Sequence, residues 1–167
     1  MLRVITSMKP LNHQKLLSVY SESIAQAAEN KSGDLPIGIR MNEAEQNLLD
    51  YVRDFLTYKD AFICLWELDD TYVAVIRVEP YKDGYLISGL ETVPVQRRKG
   101  FGRKLLTAVI DQFCGCDDFK LYSHVKRDHI ASFKLHLSCG FSVISDCAVL
   151  LDGSVFTDYS TLRYHNI

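Results

Sequence analysis

Arg97-Arg98-Lys99-Gly100-Phe101-Gly102-Arg103-Lys104 decides how this 167-residue chain is read. An extended apolar segment, Tyr85 to Val95, runs into it, and an amphipathic helix, Arg103 to Phe113, runs out of it. A strand that turns through glycines into a helix makes an anion cradle. Glycine lets backbone approach a bulky ligand, and the first N–H groups of the new helix, unpaired within it and at the positive end of its dipole, can point together at a phosphate. The five cationic side chains at the same spot add to that field, although a basic helix start is also what a merely solvated face looks like. Two common phosphate motifs are excluded. A dinucleotide fingerprint needs a third glycine where Leu105 stands, and a Walker loop needs Gly-Lys-Ser/Thr, which is absent.

A second segment narrows the choice. Lys120 to Val125 reads as a buried strand, His129 to Ser138 as a helix, and Cys139-Gly140-Phe141 as its glycine stop and the start of another strand. The order strand, Arg-x-x-Gly-x-Gly, helix, strand, helix, Gly-Phe, strand resembles the GNAT superfamily of acyl-CoA-dependent N-acetyltransferases. In that family the cofactor strand and loop look like Leu90-Glu91-Thr92-Val93-Pro94 followed by Arg97-x-x-Gly-x-Gly102. The family's closing pattern, Asn-x-x-Ala/Ser-x-x-Leu-Tyr-x-x-x-Gly-Phe, is met at Ser132, Leu135, Gly140 and Phe141, with His129 and His136 in the asparagine and tyrosine places.

The resemblance implies an α/β (α+β) fold with a mixed, mostly antiparallel sheet of six to seven strands and about four helices. The sheet should splay between the strand ending near Thr92 and the strand Lys120 to Val125, admitting the acyl-pantetheine arm of acetyl-CoA. It further implies that Arg97, Arg98, Lys99, Gly100, Phe101, Gly102 and Arg103 hold the pyrophosphate, mainly through backbone N–H groups. Leu90, Glu91 and Thr92 would pair with the arm through their backbone, His129 and His136, seven residues apart on one helix face, would flank it, and Ser132 would also contact the cofactor.

Acetyl transfer to an amine needs a base, because an alkyl ammonium with a pKa of about 10.4 has no free lone pair at neutral pH. Glu91, at the expected mouth of the splay, and His124, on the next strand, are the side-chain candidates, and a water reached through a hydrogen-bonded chain is the alternative. Each of the two residues is equally a solvated strand residue. His136 stands where the family places a tyrosine acid for the departing thiolate, and its other reading is a surface or satisfied core histidine. His124, His129 and His136 lack a carboxylate to complete a metal site. Tyr20, Trp66, Tyr72 and Tyr159 suit either an acceptor pocket or the core, and Glu22, Glu29 and Asp34 could attract a cationic amine.

Size and composition fit one domain over residues 1–167, with 47% hydrophobic and 24% charged residues. A net charge of −2 argues against nucleic-acid coating. With no membrane-length apolar run and no signal-peptide pattern, the expected location is cytoplasmic. Five cysteines fit reduced thiols better than a disulfide framework, and Cys114-x-Cys116 has the wrong spacing for a zinc knuckle. The expected partners are a small-molecule or peptide amine, without metal, nucleic acid or membrane, in a monomer or homodimer. A non-catalytic acyl-CoA-binding module and a basic-patch nucleic-acid binder remain the rival readings.

Upstream, the pattern predicts a strand at Leu2 to Thr6, one helix from Asn12 to Glu29, a loop from Asn30 to Pro36 and a helix from Glu43 to Thr57. A hairpin follows across Asp69-Asp70, and Tyr81 to Gly84 turns into the next strand. Downstream, strands are expected at Val143 to Leu151 and Val155 to Tyr164, joined by Asp152-Gly153.

Overall fold

Two tight turns build the centre of the sheet. Asp69 and Asp70 both take positive φ (47° and 57°), the twist a two-residue hairpin needs, and join β2 (Phe62–Leu68) to β3 (Thr71–Tyr81). Lys82, at φ 50°, helps turn β3 into β4 (Gly84–Thr92). The computed structural model describes residues 1–31, 35–114 and 119–165. Its remaining elements are β1 (Leu2–Ile5), α1 (His13–Val19), α2 (Ser21–Asn30), α3 (Ile37–Phe55), α4 (Phe101–Phe113), β5 (Leu121–Lys126), α5 (Ile130–Ser138), β6 (Phe141–Ser145), β7 (Ala148–Val149), β8 (Val155–Phe156) and β9 (Tyr159–Tyr164).

Among the described residues seven strands pair in the order β1-β2-β3-β4-β5-β9-β6, and β4 with β5 is the parallel pair among antiparallel neighbours. Both faces are covered, which is why the central strands read as near-continuous apolar runs. Ile63, Leu65 and Val75 pack under α1, α2 and α3 with Leu16, Ile24, Val52 and Phe55. Cys64, Ala74, Ile76 and Val78 point the other way, onto Leu105, Leu106, Val109 and Ile110 of α4.

The expected first helix is two. It breaks at Tyr20 (φ −89°, ψ 12°), whose ring is buried and whose hydroxyl donates to the Gly89 carbonyl at 3.3 Å. The break lets α1 pack on β3 while α2 packs on α3. Helix α3 begins at Ile37 rather than Glu43, because its first turns leave Ile37 and Ile39 exposed and so hide the apolar periodicity. The two long C-terminal strands are also broken. β6 ends at Ser145 after a register shift against β9, and β7 and β8 form a separate small hairpin turning at Asp152-Gly153, where Gly153 takes φ 88°. The Thr161 hydroxyl holds that excursion by donating to the Cys147 carbonyl at 2.7 Å.

Candidate active site

Strands β4 and β5 pair only at Tyr85 with Leu121, Leu86 with Tyr122 and Ile87 with Ser123. Beyond Ile87, β4 stays on β3 through Val75 with Glu91 and Ala74 with Thr92, while β5 stays on β9 through Lys126 with Tyr159. A wedge-shaped gap therefore opens between Ser88–Thr92 and His124–Lys126, with no strand pairing across it, although the Gly89, Thr92 and Lys126 carbonyls accept from the Tyr20 hydroxyl, the Arg97 guanidinium and the His129 N–H. A β-bulge directs β4 away. Between Ser88 and Glu91 it spends one residue more than β3 does, with Gly89 at φ 58°. Any side chain at Gly89 would meet the Arg77 guanidinium at about 2.6 Å. The bulge was missed in the sequence, where a lone glycine inside a strand pattern was its signal.

The bulge sets the facing of the residues after it. Leu90 packs on the α4 side of the core, whereas Glu91 faces α2, where the Ser23 hydroxyl donates to its carboxylate. Burial pushes the Glu91 carboxyl above the usual range, against the opposing pull of Ser23, Arg97 and Arg77. Across the gap, His124 lies on the same face, its ring edge-on to Tyr81 with centroids 5.3 Å apart. Burial and nearby Lys82 lower its pKa, and its buried Nε2 has no partner among the described residues.

At the end of β4, a short 3-10 turn (Pro94–Gln96) replaces the last residues of the expected extended segment and leads to Gly100 at φ 83°. Helix α4 follows from Phe101, two residues earlier than the pattern suggested. Its first helical bond runs from the Lys104 N–H to the Gly100 carbonyl at 2.9 Å, so the N–H groups of Phe101, Gly102 and Arg103 project from the helix end. Arg98, a non-glycine residue at φ 62°, carries the backbone strain found at ligand clamps. Gly102 sits close to the end of β4 and to α5, since a Cβ there would lie 3.4 Å from Thr92 Oγ1 and Leu135 Cδ2.

The basic side chains of this loop do not converge. The Arg97 guanidinium donates to the Thr92 carbonyl at 3.1 Å and pairs with Glu22 at 2.6 Å, on the α2 side. Arg103 donates to the Ser138 carbonyl, Lys99 donates to the Gln96 side chain, and Lys104 lies over the Phe101 ring. Arg98 is exposed and makes no side-chain pairing with the described residues.

His136 is placed differently from the acid expected of it. It is 2% exposed, packs edge-on against Phe141, and both ring nitrogens are engaged. Nδ1 lies 2.8 Å from the Ser132 carbonyl, an acceptor only, so Nδ1 carries the proton. Nε2, 3.0 Å from Ser123 Oγ, then accepts from that hydroxyl. Burial lowers the pKa, keeping the ring neutral. In this arrangement no N–H remains for a departing thiolate. Replacing His136 by Phe is expected to leave the 3%-exposed Ser123 hydroxyl without its acceptor, costing about 1–3 kcal/mol. At roughly 2–4 °C per kcal/mol this is a drop of several degrees in the melting temperature, with kcat changed less than about threefold. A large fall in kcat at unchanged Tm would restore the acid role.

His129 caps α5 and is exposed, and Ser132 lies one turn along. Tyr72 is core, its hydroxyl accepting from the Asn12 N–H at 3.3 Å, and Trp66 packs with the α4-side core. Tyr159 lies on β9, half-buried, facing the small-hairpin residue Phe156. Asp34 and Cys116 lie outside the described residues. Among those described, no group of three metal-capable side chains exists and no helix is long and apolar enough to cross a membrane.

The family model of GNAT acetyltransferases matches residues 31–141, which spans the bulged strand, the cradle, α4, β5 and α5. This chain belongs to the GNAT acetyltransferase family. Solved structures agree on the fold. The PaiA N-acetyltransferase of Thermoplasma acidophilum in complex with coenzyme A superposes with a TM-score of 0.67 at 15% identity, covering 99% of both chains. The ribosomal-protein-S18-alanine N-acetyltransferase of Escherichia coli gives 0.60 at 17% identity over 98% of this chain and 93% of its own. The ribosomal-protein-alanine N-acetyltransferase of Brucella melitensis gives 0.59 at 18% over 99% of each. No curated protein sequence matches the chain.

Proposed function

We propose that this GNAT protein acts as one cytoplasmic domain over residues 1–167 and transfers an acetyl group from acetyl-CoA to a primary amine by direct attack in a ternary complex. The observation that carries this reading is the gap that β4 shares with the cradle at its end. One strand thereby offers an extended arm an edge with no neighbouring strand and leads to a helix N-terminus suited to its pyrophosphate. The N–H groups of Phe101, Gly102 and Arg103 hold the phosphates, and the side chains of Arg98 and Lys99 add screened attraction. The backbone of Leu90 to Thr92 pairs with the arm and polarises the thioester carbonyl.

Glu91 takes the proton from the acceptor ammonium, with His124 as the second candidate base across the gap. The amine lone pair then forms the new C–N bond, and the C–S bond breaks as the tetrahedral intermediate collapses. The nitrogen sheds a second proton and the thiolate gains one, so the step balances without a dedicated acid. This suits a His136 whose N–H is already committed to a carbonyl.

That same commitment favours the second reading, a module that binds acyl-CoA without turning it over. The two differ in one measurement. Both predict that acetyl-CoA at 100 times Kd stabilises the fold by about 2.7 kcal/mol, which raises the melting temperature by roughly 5–10 °C. Only the enzyme releases free thiol from acetyl-CoA when an amine is supplied. A thermal scan without any shift overturns both, and a shift with no thiol release across an amine panel leaves the binding module.

A further inference from the structure

Arg77 is half-buried and, among the described residues, has no ion-pair partner. It lies on β3 facing the α1–α3 layer, opposite Ser88 in register, at the root of the gap. Its guanidinium is stacked over the Tyr51 ring, 4.8 Å from the centroid, and its Nη1 reaches the Tyr20 hydroxyl only at 3.4 Å. Its Nε is buried and unpartnered among the described residues, as is the Ser88 hydroxyl opposite it. No described carboxylate forms an ion pair with it, and Glu79 and Glu91 act on it only through space. Tyr20 cannot serve as counter-ion, because burial pushes its phenol up to about 12. A guanidinium stays charged in any protein environment, and taking one out of water unpaired is costly, so with no described carboxylate paired to it Arg77 is suited to hold an added anion.

A cavity of about 310 Å³ between α2 and α3 adjoins this cation, and Tyr20 and Tyr51 are part of its wall. Ser23, the donor to Glu91, is another part, which links the cavity to the base. Ile24, Ala27, Ala44 and Leu48 form its apolar part, and Lys31 and Asn47 stand on its polar side. Arg40 adds a second guanidinium to the wall, its Nη1 donating to the Ala28 and Lys31 carbonyls while its Nε is buried without a described partner. The Glu91 carboxylate and a guanidinium without a described anion therefore stand near each other on one face of the sheet.

Resting on the acetyltransferase reading, we infer that the acceptor is a free amino acid with an apolar side chain of moderate size. Its amine goes to Glu91, its carboxylate to Arg77 and the Ser88 hydroxyl, and its side chain into the cavity between α2 and α3. A polyamine fits this site badly, since its second ammonium would be driven against Arg77. A peptide N-terminus fits badly too, since it has no α-carboxylate.

The test compares L-leucine, L-methionine and L-phenylalanine with their α-carboxamides and their decarboxylated amines, reading kcat/KM from thiol release and Kd from calorimetry in the presence of CoA. At least one acid is expected to exceed both of its analogues by tenfold or more in both readouts. Arg77→Gln should abolish that preference by weakening the acid alone, and Arg77→Lys should restore part of it, with acetyl-CoA binding unchanged in both variants. Equal or better use of the amides or amines, no turnover of any of the three acids, or a preference that survives Arg77→Gln overturns the inference. Failure of the acetyltransferase reading is seen separately, as thiol release that is absent with every amine, spermidine and phenethylamine included.

Discussion

Glu91→Gln is expected to lower kcat by about 10²- to 10⁴-fold, the range a positioned general base contributes. The amide keeps the size of the side chain and can still accept from Ser23, so the change removes basicity with little else. Its effect on stability should run the other way. Burial raises the folded-state pKa of Glu91, so between the unfolded and folded values the native state binds more protons than the unfolded chain. The stability this group contributes is thus present below the unfolded value and lost as pH rises through the folded one. At neutral pH a charged, half-buried Glu91 is a burden on the fold, and Gln should raise the melting temperature slightly. Activity and stability moving in opposite directions separate a lost base from a damaged fold.

The pH profile gives a second sign. Protonating Glu91 removes the base, so wild-type kcat/KM should fall as pH drops through a pKa above the ordinary glutamate value, and the variant should lack that acid limb. A retained limb in Glu91→Gln, with kcat within threefold of wild type, would transfer the role to His124. That histidine's pKa is lowered by burial, so the inflection would then lie below the ordinary histidine value of about 6.5.

The parts of this fold that were legible from sequence are those fixed by residues close together in the chain. The Asp69-Asp70 hairpin, the Gly100 turn into α4 and the Gly140 stop of α5 each need a particular backbone conformation at one or two positions, and the residues there announce it. The break at Tyr20 was not legible, because nothing local forbids a continuous helix. The break depends on a buried ring and on a carbonyl 69 residues away. The bulge at Gly89 was signalled but not read, and with it went the facing of Glu91 toward Ser23. His136 shows the limit most clearly. Its place in the motif suggested an acid, but its chemistry is set by the Ser132 carbonyl one turn back and by Ser123 on a neighbouring strand. The Arg97 guanidinium likewise belonged to the basic run in sequence, yet Glu22 and the Thr92 carbonyl draw it out of the cradle.

Gly100→Asp is expected to weaken acetyl-CoA binding by about 10²- to 10³-fold while leaving the fold intact. Gly100 stands at the N-cap of α4 with φ 83°, and a Cβ there would meet nothing within 4 Å. Aspartate tolerates the left-handed region better than most residues, which keeps the backbone strain of the substitution modest. Its carboxylate would sit at the helix N–H groups proposed for the pyrophosphate, placing a fixed anion where a mobile one must bind. Gly100→Asn supplies nearly the same shape without the charge and should cost roughly tenfold or less. Gly102→Val is the poorer test. Its methyl groups would press on Thr92 and Leu135, which already lie at 3.4 Å from the position of a Cβ, so lost binding could follow from a displaced α5. Calorimetric titration of the Asp and Asn variants with acetyl-CoA, beside their unliganded melting temperatures, decides the matter. If the Asp variant bound within threefold of wild type, the pyrophosphate would not lie at the start of α4.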